Sequence, residues 1–483
     1  MTENNQDIWI VKNKKTIQRI HYFLDSINIA KRTLIISTLW FLKYNFEFSK
    51  RKDYSPLQVA TEKNWENLIL KNRNNANIAE KIDEHIKEIN KKSKSFQLYD
   101  QFCETFNKVG DIEKLQSVIN ELNSNQQSFL TDKENKEQYQ TIFNSIFQNY
   151  LKNSFAEKSI DDFENHLNII QFSAFLIKKY SQFQNKDMNQ EIKIYNPNLK
   201  FGYFFVEIAK LQISNECKFY GFIEKRNDLY LASLNLLMHV VDYHESKEIN
   251  LFLTDLSQNA KSILEQDQKK YLLNTIDFGI TKMDEEVTNI KIDSDDIRWK
   301  NLPESKAYEF YYIYDILSKL NKHGIAFIIL KQSLTTNQTG ESIRKYLIEN
   351  DLIEAIFKLP DANSNCLLIL NKSKSEATKN KILFFDFLGN QKSFQDKEAI
   401  WENYYLNFLN NNHSKLKLFK TKDILNAMGI KLDYVQKQNV EKDIKELSFE
   451  EKQAKYNAVM KKLNFTIEDI KSSLNDFIEK IKK

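Results

Sequence analysis

Residues Ile316–Pro360 read ILSKLNKHGIAFIILKQSLTTNQTGESIRKYLIENDLIEAIFKLP, and their reading decides the fold. Upstream, Tyr308, Tyr311, Tyr312, Ile316 and Leu320 recur at helical spacing, so a helix over Tyr308–Leu320 is expected, with Gly324 as its left-handed stop. Ile325–Leu330 is unbroken apolar sequence of strand length, the pattern of a strand buried on both faces. A Thr/Asn/Gly loop follows, then an amphipathic helix over Gly340–Ile348 closed by Asn350. Leu352–Leu359, Cys366–Leu370 and Ile382–Phe387 add three apolar runs of strand length. Helix and strand alternating at this spacing predict an open α/β sheet.

The same stretch carries a resemblance. Gly324 after a helix, Ile343-Arg344-Lys345 and Leu359-Pro360, followed by CLLILNKSK and ILFFDF, are similar to the distal half of the methylation subunit of type I restriction-modification systems. Lys331-Gln332 stands where that family has a proline after the first of these strands. The resemblance implies a Rossmann-like sheet of the S-adenosylmethionine-dependent methyltransferase kind, an N-terminal all-α domain and a C-terminal helical tail. On this reading the boundaries are 1–160, 161–415 and 416–483.

Composition narrows the class. A chain of 483 residues exceeds one ordinary domain. Lys and Arg number 70 against 66 Asp and Glu, a net charge of +4, so any nucleic-acid contact must come from a local patch. Three cysteines, Cys103, Cys217 and Cys366, lie far apart without a CxxC pair, which favours a reducing compartment over a disulfide framework and gives no metal site. The longest apolar run, Leu34–Leu42, is short of the about 20 residues that span a bilayer. With a polar N-terminus, the expectation is a cytoplasmic protein with no membrane partner.

From Trp9 to about Asn149 the periods are helical. Ile17, Ile20, Phe23, Leu24 and Ile27 form one stripe, Leu34–Leu42 is nearly all apolar, interrupted by Ser37 and Thr38, and Ile78, Ile82, Ile86 and Ile89 form another face. Phe41-Leu42-Lys43, then Pro56 and Trp65, resemble the family's N-terminal helical domain, in which an apolar helix ends in Leu-Lys. An unrelated helical bundle has the same periodicity. Asn123–Gln138 is polar, and helical periods resume over Phe143–Phe155 and Leu167–Tyr180.

Three places bear on chemistry. Ile192–Phe204 reads as a strand, a turn and the start of a helix. The family has Asp-Pro and a Gly-rich turn there, whereas this chain has Asn196-Pro197 and keeps Gly202 alone. Bulk at the turn would collide with the methionine part of S-adenosylmethionine, so Lys200, Phe201 and Tyr203 are expected to fill cofactor space. Phe219–Glu224 followed by the Leu231-Ala232-x-x-Asn235-Leu236 helix resembles the family's second strand, whose terminal acid takes the ribose hydroxyls. Ile223 falls at that acid's position and Glu224 one residue late, a slip that reverses the side chain in a strand. His239 on the same helix reads as packing or surface rather than chemistry.

The third place is the Asn/Asp-Pro-Pro-aromatic motif of adenine methyltransferases, in which polar acceptors hold the exocyclic amine and the ring stacks on the flipped base. With the strand at Tyr271–Leu273, Phe278-Gly279 matches the aromatic end, Asp277 is the remaining polar candidate, and the prolines are missing. Asp277-Phe278-Gly279 also mimics a kinase triplet, but no Gly-rich loop or His-Arg-Asp accompanies it. Ile297-Arg298-Trp299 and Asn301-Leu302-Pro303 resemble the family's substrate-side segment.

At the C-terminus, Met428–Tyr434 resembles the family's link to its last helices. Leu463, Ile467, Ile470, Leu474, Phe477 and Ile481 form a coiled-coil seam. In the family that tail packs on the specificity subunit.

The leading expectation is a catalytically degenerate methylation-type subunit that holds DNA or partner subunits, with S-adenosylmethionine binding lost. The first alternative is an active, diverged adenine methyltransferase using Asn196, Pro197, Gly202 and Glu224 for the cofactor and Asp277 and Phe278 for the base. The second is a protein-interaction scaffold without nucleic acid.

Overall fold

The computed structural model describes residues 3–49, 65–92, 96–123, 137–146, 160–184, 190–214, 216–239, 248–253, 274–283, 296, 298–299, 302–303, 310–331, 340–360, 365–412 and 418–420. The seam from Leu463 to Ile481 and the Met428–Tyr434 link lie outside them.

Among the described residues nine strands form one sheet: β1 Ile192–Asn196, β2 Cys217–Ile223, β3 Glu248–Leu253, β4 Ile276–Lys282, β5 Leu320–Lys331, β6 Ile353–Lys358, β7 Asn365–Asn371, β8 Lys381–Asp386 and β9 Leu418–Lys420. Their spatial order is β3-β2-β1-β4-β5-β7-β6-β8-β9. The first five are parallel to their neighbours. β7 enters antiparallel between β5 and β6, and β8 is again parallel to β6. Ile325–Ile329, Ile353–Ala355 and Leu367–Leu370 are almost wholly buried, as strands covered on both faces must be. The chain moves outward from β1 to β3 and returns to place β4 on the other side of β1. This reversal opens a crevice at the carboxyl ends of β1 and β4, where open α/β sheets bind ligands.

Two expectations about this region are corrected. β4 is Ile276–Lys282, whereas the sequence reading put the strand at Tyr271–Leu273, outside the described residues. Asp277, Gly279 and Lys282 hide the strand signal, because all three residue types are poor strand formers. The segment holds its place through Phe278 and Ile280, both fully buried, and Gly279, where a Cβ would stand 2.4 Å from Ile316 Cγ2. The second correction is Gly324. The helix ends at Lys319 and β5 starts at Leu320, so Gly324 lies inside the strand and has no left-handed backbone. It is needed there because a Cβ would meet the Ile276 carbonyl oxygen at 2.8 Å, beside the register shift between β4 and β5.

The N-terminal region is helical, with helices Glu3–Phe23, Ile29–Ser49, Ile78–Lys92, Val109–Asn123 and 137–146. Ile17, Ile20, Leu24, Leu34–Leu42 and Ile78, Ile82, Ile86 and Ile89 bury their side chains in one core. The second helix runs six residues past Lys43, so it does not end in Leu-Lys. Lys43 instead reaches the last turn of the Val109–Asn123 helix and donates to the Leu122 carbonyl at 2.5 Å, neutralising the negative end of that helix. Arg32 does the same for the first turn-around, donating to the carbonyls of His21, Asp25 and Ile27.

The helix Arg226–His239 joins the two parts. Every side chain from Leu229 to His239 is buried. Tyr230, Leu231, Leu234, Leu237 and Met238 complete the helical core, while Leu229, Ala232 and Leu236 pack on the sheet. His239 is a packing residue, as the sequence suggested: it sits edge-on to Phe143 and hydrogen-bonds Asn144 at 3.0 Å.

On the far half of the sheet, Glu354 of β6 is fully enclosed. It accepts from Tyr405 at 2.6 Å, from Asn371 at 2.6 Å and from Tyr180 at 3.4 Å, tying the helix Ile160–Phe183, β7 and the helical turns 397–409 to one carboxylate. Burial raises its pKa against those donors. Glu354→Ala leaves three buried donors facing a void and is expected to lower stability by ~3–5 kcal/mol in urea unfolding, with Glu354→Gln costing ~1–2 kcal/mol.

Candidate functional site

The crevice is floored by the turn between β1 and the helix Tyr203–Lys210. Asn196 ends β1, fully buried; its Oδ1 accepts the Asn198 backbone N–H at 2.8 Å and fixes the turn, and its Nδ2 has no hydrogen-bond partner. Lys200 and Gly202 both hold left-handed backbone, φ 48° and 77°. Gly202 meets that demand without strain, whereas Lys200 carries a Cβ into a region that disfavours it. The turn therefore takes a glycine-type shape at a position that carries a lysine. The turn runs straight into the helix Tyr203–Lys210, with Gly202 as its N-cap and no side-chain cap, so this is the anion-favouring end of the helix.

The bulky side chains of this turn do not occupy the crevice, contrary to the sequence expectation for Phe201 and Tyr203. Phe201 is 9% exposed and lies in the helical-domain core. Tyr203 packs against both that core and the sheet core. Leu199 folds over β2, where Gly221 leaves room: a Cβ there would stand 2.4 Å from Leu199 Cδ2. The local reason is apolar burial, since two adjacent cores offer more contact than an open cleft.

Ile223, at the position the family gives to its ribose-binding acid, is the last residue of β2 and is buried in the sheet core. Glu224 is the next residue, exposed at the carboxyl edge, and Tyr312 of the helix Phe310–Lys319 donates to its Oε1 at 2.9 Å. Asn196, Pro197, Gly202 and Glu224 are thus brought to the same edge of the sheet.

Asp277 and Phe278 are not. The register pairs Ile194 with Phe278 and Tyr195 with Gly279, which sets Asp277 level with Lys193. Asp277 accepts the Lys193 backbone N–H at 2.9 Å and the Asn321 amide at 3.1 Å, so it ties β1 to β5 near their amino ends. Phe278 is core, packed with Phe327. The three residues from Lys193 to Asn196 put this pair about 10 Å from the crevice. At the crevice itself β4 ends in Lys282 and Met283.

Behind the crevice, between β1 and the helix Phe310–Lys319, lies a closed ionic cluster that the sequence reading missed. Arg298 donates to Asp296 at 2.6 Å and to Asp315 at 3.0 Å. Lys319 also pairs with Asp315, and Tyr195 donates to Asp315 at 2.5 Å. Two carboxylates face two cations with almost no exposure, so the cluster is neutral as a whole. The Arg298 guanidinium lies 4.1 Å from the Trp299 ring centroid, and Lys319 stands over the rings of Tyr195 and Phe222. The cluster pins the segment around Arg298 to the helix and to β1. The available signals were the Asp315/Lys319 spacing of four on a helix and the charged residues flanking Trp299. Among the described residues no group of His, Cys, Asp and Glu is placed to hold a metal, and no helix is long and apolar enough to cross a membrane.

This frame matches known proteins. A family model described as N-6 DNA Methylase matches residues 140–473, well over half of the chain. The chain belongs to that family. Among curated relatives it is 26% identical over 217 residues to the type I restriction enzyme MjaVII methylase subunit of Methanocaldococcus jannaschii, covering 41% of this chain and 36% of that one. To the MjaVIII methylase subunit of the same organism it is 29% identical over 185 residues, covering 34% and 30%. The chain thus spans about a third of the length of these two relatives. Its fold is similar to the crystal structure of a type I restriction-modification methyltransferase subunit from Streptococcus thermophilus, with a TM-score of 0.59, 12% identity and coverage of 88% of this chain and 98% of that one.

The cluster makes a pH prediction. Burial pulls the Lys319 ammonium down to about 8, against the opposing pull of Asp315. An unfolded lysine titrates near ~10.4, so between those values the unfolded chain holds a proton that the folded chain lacks, and this residue makes stability rise with pH. Lys319→Met should flatten that rise between about pH 8 and about pH 10 in parallel urea titrations. An unchanged slope would separate Lys319 from the pH response.

Proposed function

We propose that the chain is a methylation-subunit-like component of a type I restriction-modification assembly in which methyl transfer has been lost while the frame that holds DNA and partner subunits remains. The carrying observation is the end of β4. Transfer to the exocyclic amine of adenine needs acceptors fixed on a stiff loop at that edge; the chain continues there as Lys282-Met283-Asp284-Glu285, which has acidic side chains but not the polar-Pro-Pro-aromatic order that would fix them on the amine. No proline lies between Pro197 and Pro303 to stiffen the loop.

The cofactor side supports a second, narrower reading: a chain that still binds S-adenosylmethionine. The left-handed backbone at Lys200 and Gly202, the unpartnered Asn196 amide and the exposed Glu224 fit a nucleoside carrying an amino-acid tail. Glu224 would take the ribose hydroxyls, and the first turn of the helix Tyr203–Lys210 with Asn196 Nδ2 would take the tail carboxylate. The cofactor would supply an electrophilic methyl group. One position changes sign: where the family has an aspartate, Asn196 offers a donor, which leaves the ammonium of the tail without a charged acceptor.

DNA is the proposed polymer partner, held through backbone phosphates, and the proposed protein partner is a specificity-type subunit or a second, intact methyltransferase subunit engaged by the Leu463–Ile481 seam. The proposed compartment is the cytoplasm.

Calorimetric titration with S-adenosylmethionine and S-adenosylhomocysteine, paired with labelled-methyl transfer to DNA, tests both readings. Binding without transfer is the expected result for the lost-transfer reading with a retained cofactor site. Methyl transfer to DNA by the parent chain would overturn the lost-transfer reading. DNA affinity independent of salt would overturn the phosphate contact, which should weaken steeply as salt rises.

A further inference from the structure

The turn at the end of β1 is shared by the two cores that the helix Arg226–His239 also joins. Leu199 lies in the sheet core, and two residues on, Phe201 lies in the helical-domain core with Trp40, Phe102 and Leu115. Between them Lys200 takes its left-handed backbone. The Phe201 carbonyl accepts from Asn235 Nδ2 at 2.8 Å, and Asn235 sits at the centre of the helix Arg226–His239, fully buried, with its Oδ1 unpartnered. The Leu199 N–H bonds the Phe222 carbonyl at the end of β2, at 2.9 Å. Each end of this short turn is therefore fixed to a different body.

Other contacts between the bodies lie along the same helix. The Gln97 N–H donates to Ser233 Oγ at 3.0 Å, and Gln140 Nε2 donates to the Met238 carbonyl at 2.7 Å. None of these touches the turn. Phe201 is the turn's side chain in the helical-domain core, with Tyr203 packed at the edge of both.

We propose that Phe201 is a positioning residue that couples the crevice turn to the helical domain, so that docking of the helical domain sets whether Lys200 and Gly202 hold the ligand-accepting shape. The proposal rests on the reading of this turn as the nucleoside side of the site. Two consequences follow from packing. Withdrawing the helical domain draws Phe201 out of its core and releases the strained backbone at Lys200 to relax, which closes the glycine-type turn. Conversely, a ligand that holds the turn favours the docked helical domain, because coupling between two sites is reciprocal. A DNA or subunit contact on the helical domain would then reach the crevice through one phenyl ring rather than through the sheet.

The test is a double-mutant cycle in the full chain, read by amide hydrogen exchange. Leu115→Ala perturbs the helical core at a residue on the Val109–Asn123 helix. Coupling predicts that it speeds exchange of the amides from 199 to 204 roughly tenfold. In the Phe201→Ala background the same Leu115→Ala change should leave those amides unmoved. Phe201→Leu, which keeps most of the volume, should restore the dependence. Equal acceleration in both backgrounds, or no response of the turn to Leu115→Ala in the parent chain, would overturn the proposal. If Leu115→Ala unfolds the chain, Leu115→Val takes its place in the same cycle.

S-adenosylhomocysteine titration adds a second arm. If the parent chain binds it, Phe201→Ala should weaken binding at least about tenfold and Phe201→Leu much less; equal affinities would refute the coupling. Absence of binding in the parent chain would fail the cofactor reading, and the exchange cycle would still decide the coupling.

Discussion

One helix must satisfy two cores at once, and most of the architecture follows from that constraint. Arg226–His239 has no solvent face beyond its first turn: from Leu229 onward one side completes the helical domain and the other covers the sheet. A helix apolar on all sides is stable only when enclosed, so the helical domain and the parallel sheet cannot part without exposing it. Burial of five or so large side chains on one face contributes ~1.5–3 kcal/mol each by transfer. The polar residues inside it, Ser233, Asn235 and His239, each bond across to the neighbouring bodies. They orient the domain contact that the apolar residues hold.

The second internal constraint is electrostatic. Asp296, Arg298, Asp315 and Lys319 are buried together, and isolating any of them would be costly; only as a neutral set with the Tyr195 hydroxyl are they tolerated. Such clusters contribute little net stability compared with apolar packing. They do fix geometry, because Arg298 cannot move without stranding two carboxylates. Here the fixed element is Asp296 and Arg298, held to the helix Phe310–Lys319, from which Tyr314 also donates to the Pro303 carbonyl. The glutamate clamp at Glu354 works likewise for the helices that flank the outer strands.

Reading the sequence recovered the elements whose signal is local. Ile325–Leu330, Gly340–Asn350 and the runs that became β6, β7 and β8 are long, apolar and bounded, so period and length sufficed. The antiparallel insertion of β7 was not legible, since pairing partners are set by tertiary packing. β4 was missed because its sequence, Ile-Asp-Phe-Gly-Ile-Thr-Lys, carries three weak strand formers whose presence is explained by neighbours: Asn321 and the Lys193 N–H at Asp277, and Ile316 at Gly279. That error moved Asp277 and Phe278 from the amino end of the strand to the crevice. The expected blockage by Phe201 and Tyr203 failed for a related reason: residue size is visible in sequence, but side-chain direction depends on which core is near.

The positions that differ from the family pattern sort by what they hold up. A loop at the end of a strand that contacts substrate is held by few core contacts; at the end of β4 the contact is Met283, buried in the core with Phe310 and Ile313. The cofactor turn is different. Its backbone is held by Asn198 and Phe222 hydrogen bonds and by two side chains anchored in two cores. Collapse of this turn would expose Leu199 and Phe201 and strand the Asn235 amide. That packing holds the turn's left-handed shape even at Lys200, at a strain of ~1–2 kcal/mol. A turn can thus keep the form of a binding site through packing alone, and the form at Asn196–Gly202 is evidence of packing before it is evidence of catalysis.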